Sequence, residues 1–229
     1  MAYRKVDEAS LTAVANSIRA KGGTTGALAF PDGFVSAVQA IQAGGGEADS
    51  SFKDVIERTA VNPTLPSDLT KIGVYAFYNY RKLALTSLPD GVTSIGDNAF
   101  YGCTNLALTS LPVGLTSISY DAFYRCSNLA LTSLPDGVTS ISSYAFYGCT
   151  NLALTSLPVG LTSIGESAFY GCIGLTTITF EGTPSSISSS AFNSCTHLTT
   201  INVPWAEGAV ANAPWGATNA AINYNYTGV

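Results

Sequence analysis

Five cysteines, Cys103, Cys126, Cys149, Cys172 and Cys195, are the side chains in this sequence best suited to chemistry, and each lies 23 residues after the last. Thiols at a fixed interval could be nucleophiles, metal ligands or disulfide partners. A metal needs converging ligands, yet no C-x-x-C or H-x-x-x-H spacing occurs and His197 is the only histidine. A nucleophile needs a base and a group that orients it; Cys195 and His197 are close in sequence, but no orienting Asn or Asp accompanies them. Neighbours in a column fall within the Cα window of a disulfide, but parallel side chains point past each other and five is an odd number. The pattern points to buried thiols that pack as small core hydrophobes. Acidic residues fall at no recurring offset. Gly91, Gly114, Gly137 and Gly160 read as turn glycines, because no G-x-x-x-x-G-K-[ST] occurs. No catalytic residue, metal or cofactor is expected.

Composition narrows the classes further. The chain has 229 residues, only 11% of them charged, and a net charge of -5. Nine of the ten Lys and Arg lie in residues 1–82, and only Arg125 lies beyond. A nucleic-acid partner needs clustered cations that release counterions, so that class is disfavoured. No run approaches 18 apolar residues, so no membrane insertion is expected. The start, "MAYRKVDEASLTAVANSIRAKGG", carries charges throughout and has no continuous apolar stretch, so no Sec signal is expected in it.

The elements that would hold the cysteines are repeats. Phe77, Phe100, Phe123, Phe146, Phe169 and Phe192 recur every 23 residues, as do Ile72, Ile95, Ile118, Ile141, Ile164 and Ile187. "PDGV" at Pro89 and Pro135 alternates with "PVGL" at Pro112 and Pro158, which suggests duplication of a two-repeat block. Within a unit, "LALTSLP" reads as a brief strand stopped by Pro. "DGVTSIG" turns the corner with Val92 and Ile95 inward. "DNAFYGC" reads as a single helical or 3₁₀ turn with Ala99, Phe100 and Cys103 on one side. One unit cannot bury its apolar side, so stacked units with parallel strands about 4.8 Å apart are expected. The fold class is an α/β repeat solenoid of six 23-residue units, with short parallel strands, single helical turns and a small helical N-terminal module.

The pattern L-x-x-x-x-[IL]-P-x-x-[VL]-x-x-I-G-x-x-A-F-x-x-C-x-x-L resembles the BspA-like leucine-rich repeats of bacterial surface proteins. The resemblance implies a solenoid with a sheet on one side and an adhesin or recognition role. The flanks, "YRKVDEASLTAVANSIRAKGG" with "LAFPDGFVSAVQAI" and "VPWAEGAVANAPWGATNAAINYNY", resemble segments of prophage-encoded structural proteins. In one respect the chain departs from the repeat family. Thr86, Thr109, Thr132 and Thr155 stand where a mid-strand aliphatic is usual, with Leu85, Leu108, Leu131 and Leu154 one position earlier. A one-residue slip exchanges faces of a strand. With Thr inward, the Leu row is an apolar interface stripe; with Leu inward, it is core.

The ends divide as follows. Residues 1–43 form a helical N-terminal module, with a helix over 7–21 carrying Leu11, Val14 and Ile18, closed by Gly22 and Gly23. A second helix opens at Pro31 with Phe34, Val35, Val38 and Ile41 apolar. Residues 44–50 are a linker, 51–65 a cap helix begun at Ser51, 66–203 the solenoid and 204–229 a C-terminal cap. Trp205 and Trp215 cover the open end there, and "AINYNY" adds a last strand.

A second column could carry recognition. Tyr78, Tyr101, Tyr124, Tyr147 and Tyr170 each follow a Phe, and Asn193 ends the row. If Phe points inward, the next residue points outward, offering area and a hydroxyl at low entropic cost. The plainer reading is that each Tyr leans on its neighbour and closes the gap between turns. The expected function is non-enzymatic recognition of a protein or glycan partner, phage-associated or surface-exposed. The alternatives are a cell-surface adhesin for host protein and a structural spacer. The N-terminal module and the sheet face are the surfaces through which a homo-oligomer would form.

Overall fold

A computed structural model describes residues 61–228. The helices expected over 7–21 and from Pro31, the linker, and residues 51–60 of the cap helix lie outside the described residues.

The Ile of each unit and the residue before it, Lys in the first unit and Ser in the rest, form a two-residue strand with Ile buried. These strands are β1 (Lys71–Ile72), β2 (Ser94–Ile95), β3 (Ser117–Ile118), β4 (Ser140–Ile141), β6 (Ser163–Ile164) and β8 (Ser186–Ile187). β1 pairs with β2, and β3-β4-β6-β8 form one sheet, all parallel and in register at the repeat period. Between β2 and β3 a side chain replaces a ladder bond: Ser119 Oγ donates to Ile95 O at 2.6 Å. On the "LALTSLP" side, β5 (Ser156–Leu157), β7 (Thr177–Phe180), β9 (Thr200–Asn202) and β10 (Ala221–Asn223) form a second parallel sheet in the order β10-β9-β7-β5.

That second sheet exists only toward the C-terminus, and the residue pattern explains why. Strands alternate inward and outward with a period of two. In "LALTSL" the inward leucines are first, third and sixth, as at Leu129, Leu131 and Leu134, so two outward residues stand together and the chain bends at Thr132. In β7 the inward residues Ile178 and Phe180 alternate regularly with Thr177 and Thr179, and four residues extend as a strand. The same comparison decides the open column. Leu85, Leu108, Leu131 and Leu154 are buried and Thr86, Thr109, Thr132 and Thr155 are exposed. The Leu row is core, and its candidacy as an apolar interface is corrected. Only from Ile178 onward does the inward residue move one position later.

Among the described residues there is no helix, which corrects the expected single helical turns. The "NAFYGC" segment is instead a run of overlapping turns. Ala99 N donates to Gly96 O, Tyr101 N to Asn98 O and Cys103 N to Phe100 O, at 3.1–3.2 Å. The alternate amides point along the axis: Asn98 N reaches Tyr120 O, Phe100 N Ala122 O and Gly102 N Tyr124 O, at 2.7–2.9 Å. A helix would spend every amide within the segment and leave none for the next coil. Left-handed residues every fourth position produce the alternation, Asn98 at φ 56° and Gly102 at φ 69°. Gly96 serves close approach, since a Cβ there would lie 2.7 Å from Val74 N.

The solenoid continues past Val203. Trp215 stands 23 residues after Phe192, is fully buried, and accepts a hydrogen bond from Phe192 N at 2.9 Å. Trp205, Trp215 and Phe180 pack as one aromatic group with centroids 5.2–6.2 Å apart. β10 falls within "AINYNY" and pairs with β9, making about seven turns in all.

Down the centre runs a file of six phenylalanines, stacked at 5.1–5.5 Å with interplanar angles of 2–11°. Phe123 has a stacked neighbour on both sides and Phe192 on one. Phe123→Ala is expected to cost about 3–5 kcal/mol. Phe192→Ala should cost less by about 0.5–1.5 kcal/mol, the value of one aromatic pair. Urea unfolding of the two variants measures the difference; equal losses would contradict nearest-neighbour stacking.

Candidate recognition face

The cysteine column packs beside the phenylalanine file. Each thiol donates to the carbonyl of a Phe one coil back: Cys103 to Phe77, Cys126 to Phe100, Cys149 to Phe123, Cys172 to Phe146 and Cys195 to Phe169, at 2.9–3.0 Å. Each of the inner Phe carbonyls therefore accepts twice, from its own turn and from the next coil's thiol. Burial, and then the neighbouring thiol, push Cys126, Cys149 and Cys172 well above the ordinary thiol range, and burial pushes Cys195 up to about 12. Such thiols are poor nucleophiles. Cys195 is buried while His197 is exposed, so the fold does not bring them together as a pair. Among the described residues no group of three or more His, Cys, Asp or Glu could hold a metal ion.

One position after each Phe, the tyrosines form a second file, half-buried on the outside. Tyr78, Tyr101, Tyr124, Tyr147 and Tyr170 stack in sequence at 4.8, 4.5, 4.6 and 4.5 Å, with interplanar angles of 2–22°. Ring faces are covered by ring faces, so the file shows its edges and hydroxyls outward. Burial, then the adjacent phenols, raise Tyr101 and Tyr147 above the usual phenol range, which keeps both as neutral hydroxyls. The Arg125 guanidinium lies 5.4 Å from the Tyr124 ring centre.

Beside this file lies a group that the 23-residue columns do not reveal. Tyr120 and Tyr144 meet edge to face at 5.8 Å, and the Tyr144 hydroxyl donates to Glu166 Oε1 at 2.9 Å. Tyr120 N donates to Asp97 Oδ1 at 3.2 Å. Asp121 Oδ1 is buried with no hydrogen-bond partner. Burial, then Asp97, push the Asp121 carboxyl up to about 6. Tyr120 and Tyr144 stand 24 apart and so miss each other in a strict column. The available signal was the Tyr, Asp or Glu found just before five of the six Ala–Phe pairs.

The BspA type leucine-rich repeat pattern matches residues 48–135 and 116–207, in six copies. The chain belongs to the BspA type leucine-rich repeat family. That scaffold is typically a non-enzymatic binding scaffold. The crystal structure of a T. pallidum leucine-rich repeat protein is similar at 27% identity over 73% of this chain and 70% of that one, with a TM-score of 0.48. A leucine-rich cell surface protein of Faecalibacterium prausnitzii is 28% identical over 64% of this chain, with a TM-score of 0.48, and the match spans 49% of that protein. A leucine-rich repeat protein of Bacteroides ovatus is 20% identical over 73% of this chain and 61% of that one, at a TM-score of 0.34. No curated protein matches the chain.

Two predictions come from the titrating groups. The folded state holds thiol protons that the unfolded chain releases above about pH 9, so stability is complete below that pH and falls as pH rises. Each such thiol contributes up to about 1.4 kcal/mol per pH unit. The urea midpoint should hold steady from about pH 7 to 8.5 and fall from about 9 to 10. A Cys149→Ala, Cys172→Ala variant should fall less steeply; an unchanged slope would refute the assignment.

Asp121 has the same sign at lower pH: its stabilising, protonated form is lost as pH rises through about 6. Its backbone is left-handed at φ 53°, and Asn98 already occupies the equivalent place at φ 56°. Asp121→Asn should raise the melting temperature by a few degrees at about pH 7.5 and leave it unchanged at about pH 3.5. A gain of equal size at both pH values would show that charge is not the cause.

Proposed function

We propose that this protein is a non-enzymatic recognition module whose tyrosine file meets a protein partner, with the N-terminal residues attaching it to a larger assembly such as a phage particle or a cell surface. The continuous stack of five tyrosines carries the reading. A regular row of hydroxyls and ring edges offers directional hydrogen bonding on a rigid support, with little side-chain entropy left to lose on binding. A glycan would favour an open aromatic face, and the stack covers those faces, so protein is preferred over glycan. The phage setting draws on the flanking segments, and an adhesin of a bacterial surface is the same module in another setting. A structural spacer is the second reading, favoured by the same 4.5–4.8 Å stacking, which stiffens the rod.

Two triple variants separate binding from packing. Tyr101, Tyr124 and Tyr147 changed to Phe keep the stack and remove the hydroxyls; changed to Ser they remove both. Labelled protein is tested for binding to a panel of bacterial cells, with melting curves alongside. The Phe triple is expected to melt like the wild type and bind at least about tenfold more weakly. Full binding by both triples would overturn the proposal, and a loss confined to the Ser triple with a lowered melting temperature would favour the spacer.

A further inference from the structure

Charge on the described solenoid is one-sided. Residues 61–228 contain Lys71, Arg81, Lys82 and Arg125 against Asp68, Asp90, Asp97, Asp121, Asp136, Glu166, Glu181 and Glu207, four minus eight, or -4. Three of those carboxylates flank the Tyr120–Tyr144 pair: Asp97 accepts from Tyr120 N, Asp121 follows Tyr120, and Glu166 accepts from the Tyr144 hydroxyl. Asp97, Tyr120 and Glu166 are exposed, Tyr120 at 44%. Around them the turns are built from overlapping hydrogen bonds that fix the backbone, so this ridge is preorganised. Its local electrostatics are unbalanced. Proximity to Asp121 raises the Tyr120 phenol, and the hydrogen bond to Glu166 raises that of Tyr144. Asp121 Oδ1 has no donor at all, and the nearby cation, Arg125, is engaged over Tyr124. A cation brought against exposed Asp97 and the half-buried Asp121 carboxylate would offset the repulsion between the two.

We propose that the ridge of Asp97, Tyr120, Asp121, Tyr144 and Glu166 is a docking surface for a basic segment of a partner protein. An arginine suits it best. Its planar fork can pair with Asp97 and the half-buried Asp121 carboxylate while it lies against the exposed Tyr120 ring. A second cation on the segment reaches Glu166, two coils beyond Asp121. The inference rests on the reading of this side of the solenoid as a recognition face, and it names the chemistry of the partner.

The test uses fluorescein-labelled short peptides alternating Arg with Gly, Lys with Gly and Glu with Gly, read by fluorescence anisotropy against the full chain at about 0.05 and 0.3 M salt. The variant Asp97→Asn, Asp121→Asn, Glu166→Gln keeps shape and removes charge. The control Asp90→Asn, Asp136→Asn removes charge from the turn column instead. Expected are binding of the Arg peptide, weaker binding of the Lys peptide and none of the Glu peptide. The ridge variant should bind the Arg peptide about tenfold more weakly, and the control should change it less than about twofold. Equal losses in ridge variant and control would mean diffuse charge and overturn the proposal. So would absence of Arg-peptide binding, or binding of the Glu peptide. Cell binding separates the two ideas: loss in the ridge variant with full binding in the tyrosine triples sinks the tyrosine file alone, and the reverse sinks the ridge alone.

Discussion

The structure depends on one constraint: each coil must satisfy the backbone of the next. Among the described residues no coil has a helix or a long strand in which to close its own hydrogen bonds. Amides therefore run between coils, forward on the Ala–Phe side, as from Phe100 to Ala122, and backward on the opposite side, as from Gly96 to Ile72. A buried unpaired amide or carbonyl costs as much as a lost hydrogen bond. Changing the length of an inner coil would misalign both ladders, so the 23-residue period holds from β1 to β9, and only the terminal strand β10 pairs at 21. The side-chain files follow from that spacing. Once coils sit one strand spacing apart, identical residues must stack, and flat rings stack better than branched chains.

Within this arrangement the cysteines have a role that neither chemistry nor plain packing describes. The Phe carbonyl is buried and has a second lone pair. A thiol is small enough for the core and donates to that lone pair, while its apolar bulk lies against the rings. The same geometry that makes Cys suitable removes its reactivity, because burial holds the proton on sulfur. The left-handed positions show a parallel division of labour. Gly102, Gly148 and Gly171 fill one such column at no steric cost, while Asn79, Arg125 and Ser194 accept some strain in the same column. In the other, Tyr75, Asn98, Asp121, Tyr144 and Ser167 vary freely, and Asp121 and Tyr144 of the face are found there, with Asp97, Tyr120 and Glu166 one position earlier.

Much of this was legible before any coordinates. The period, the inward Ile and Phe columns and the burial of the cysteines all follow from spacing, because a stacked repeat turns sequence columns directly into spatial files. The turns were misread as helical. Phe and Cys three apart suit a helix and a turn chain equally, and the difference lies in where the amides of Asn98, Phe100 and Gly102 point. The Tyr120–Tyr144 ridge was missed because its members sit off the period by one residue, so no column contains both.

The sequence by itself determined a parallel-strand solenoid of the BspA type, its core files and the scarcity of cations after Arg125. Those are properties of composition and period, and stacking cannot alter them. Only the tertiary structure decided between Leu131 and Thr132 as the inward residue. It also closed the tyrosine ring faces against one another and left Asp121 beside Asp97 without a donor. These outcomes depend on the direction of a peptide plane or a bend of one residue. Such choices are set by the contact with the neighbouring coil, whose hydrogen bonds outweigh local propensity.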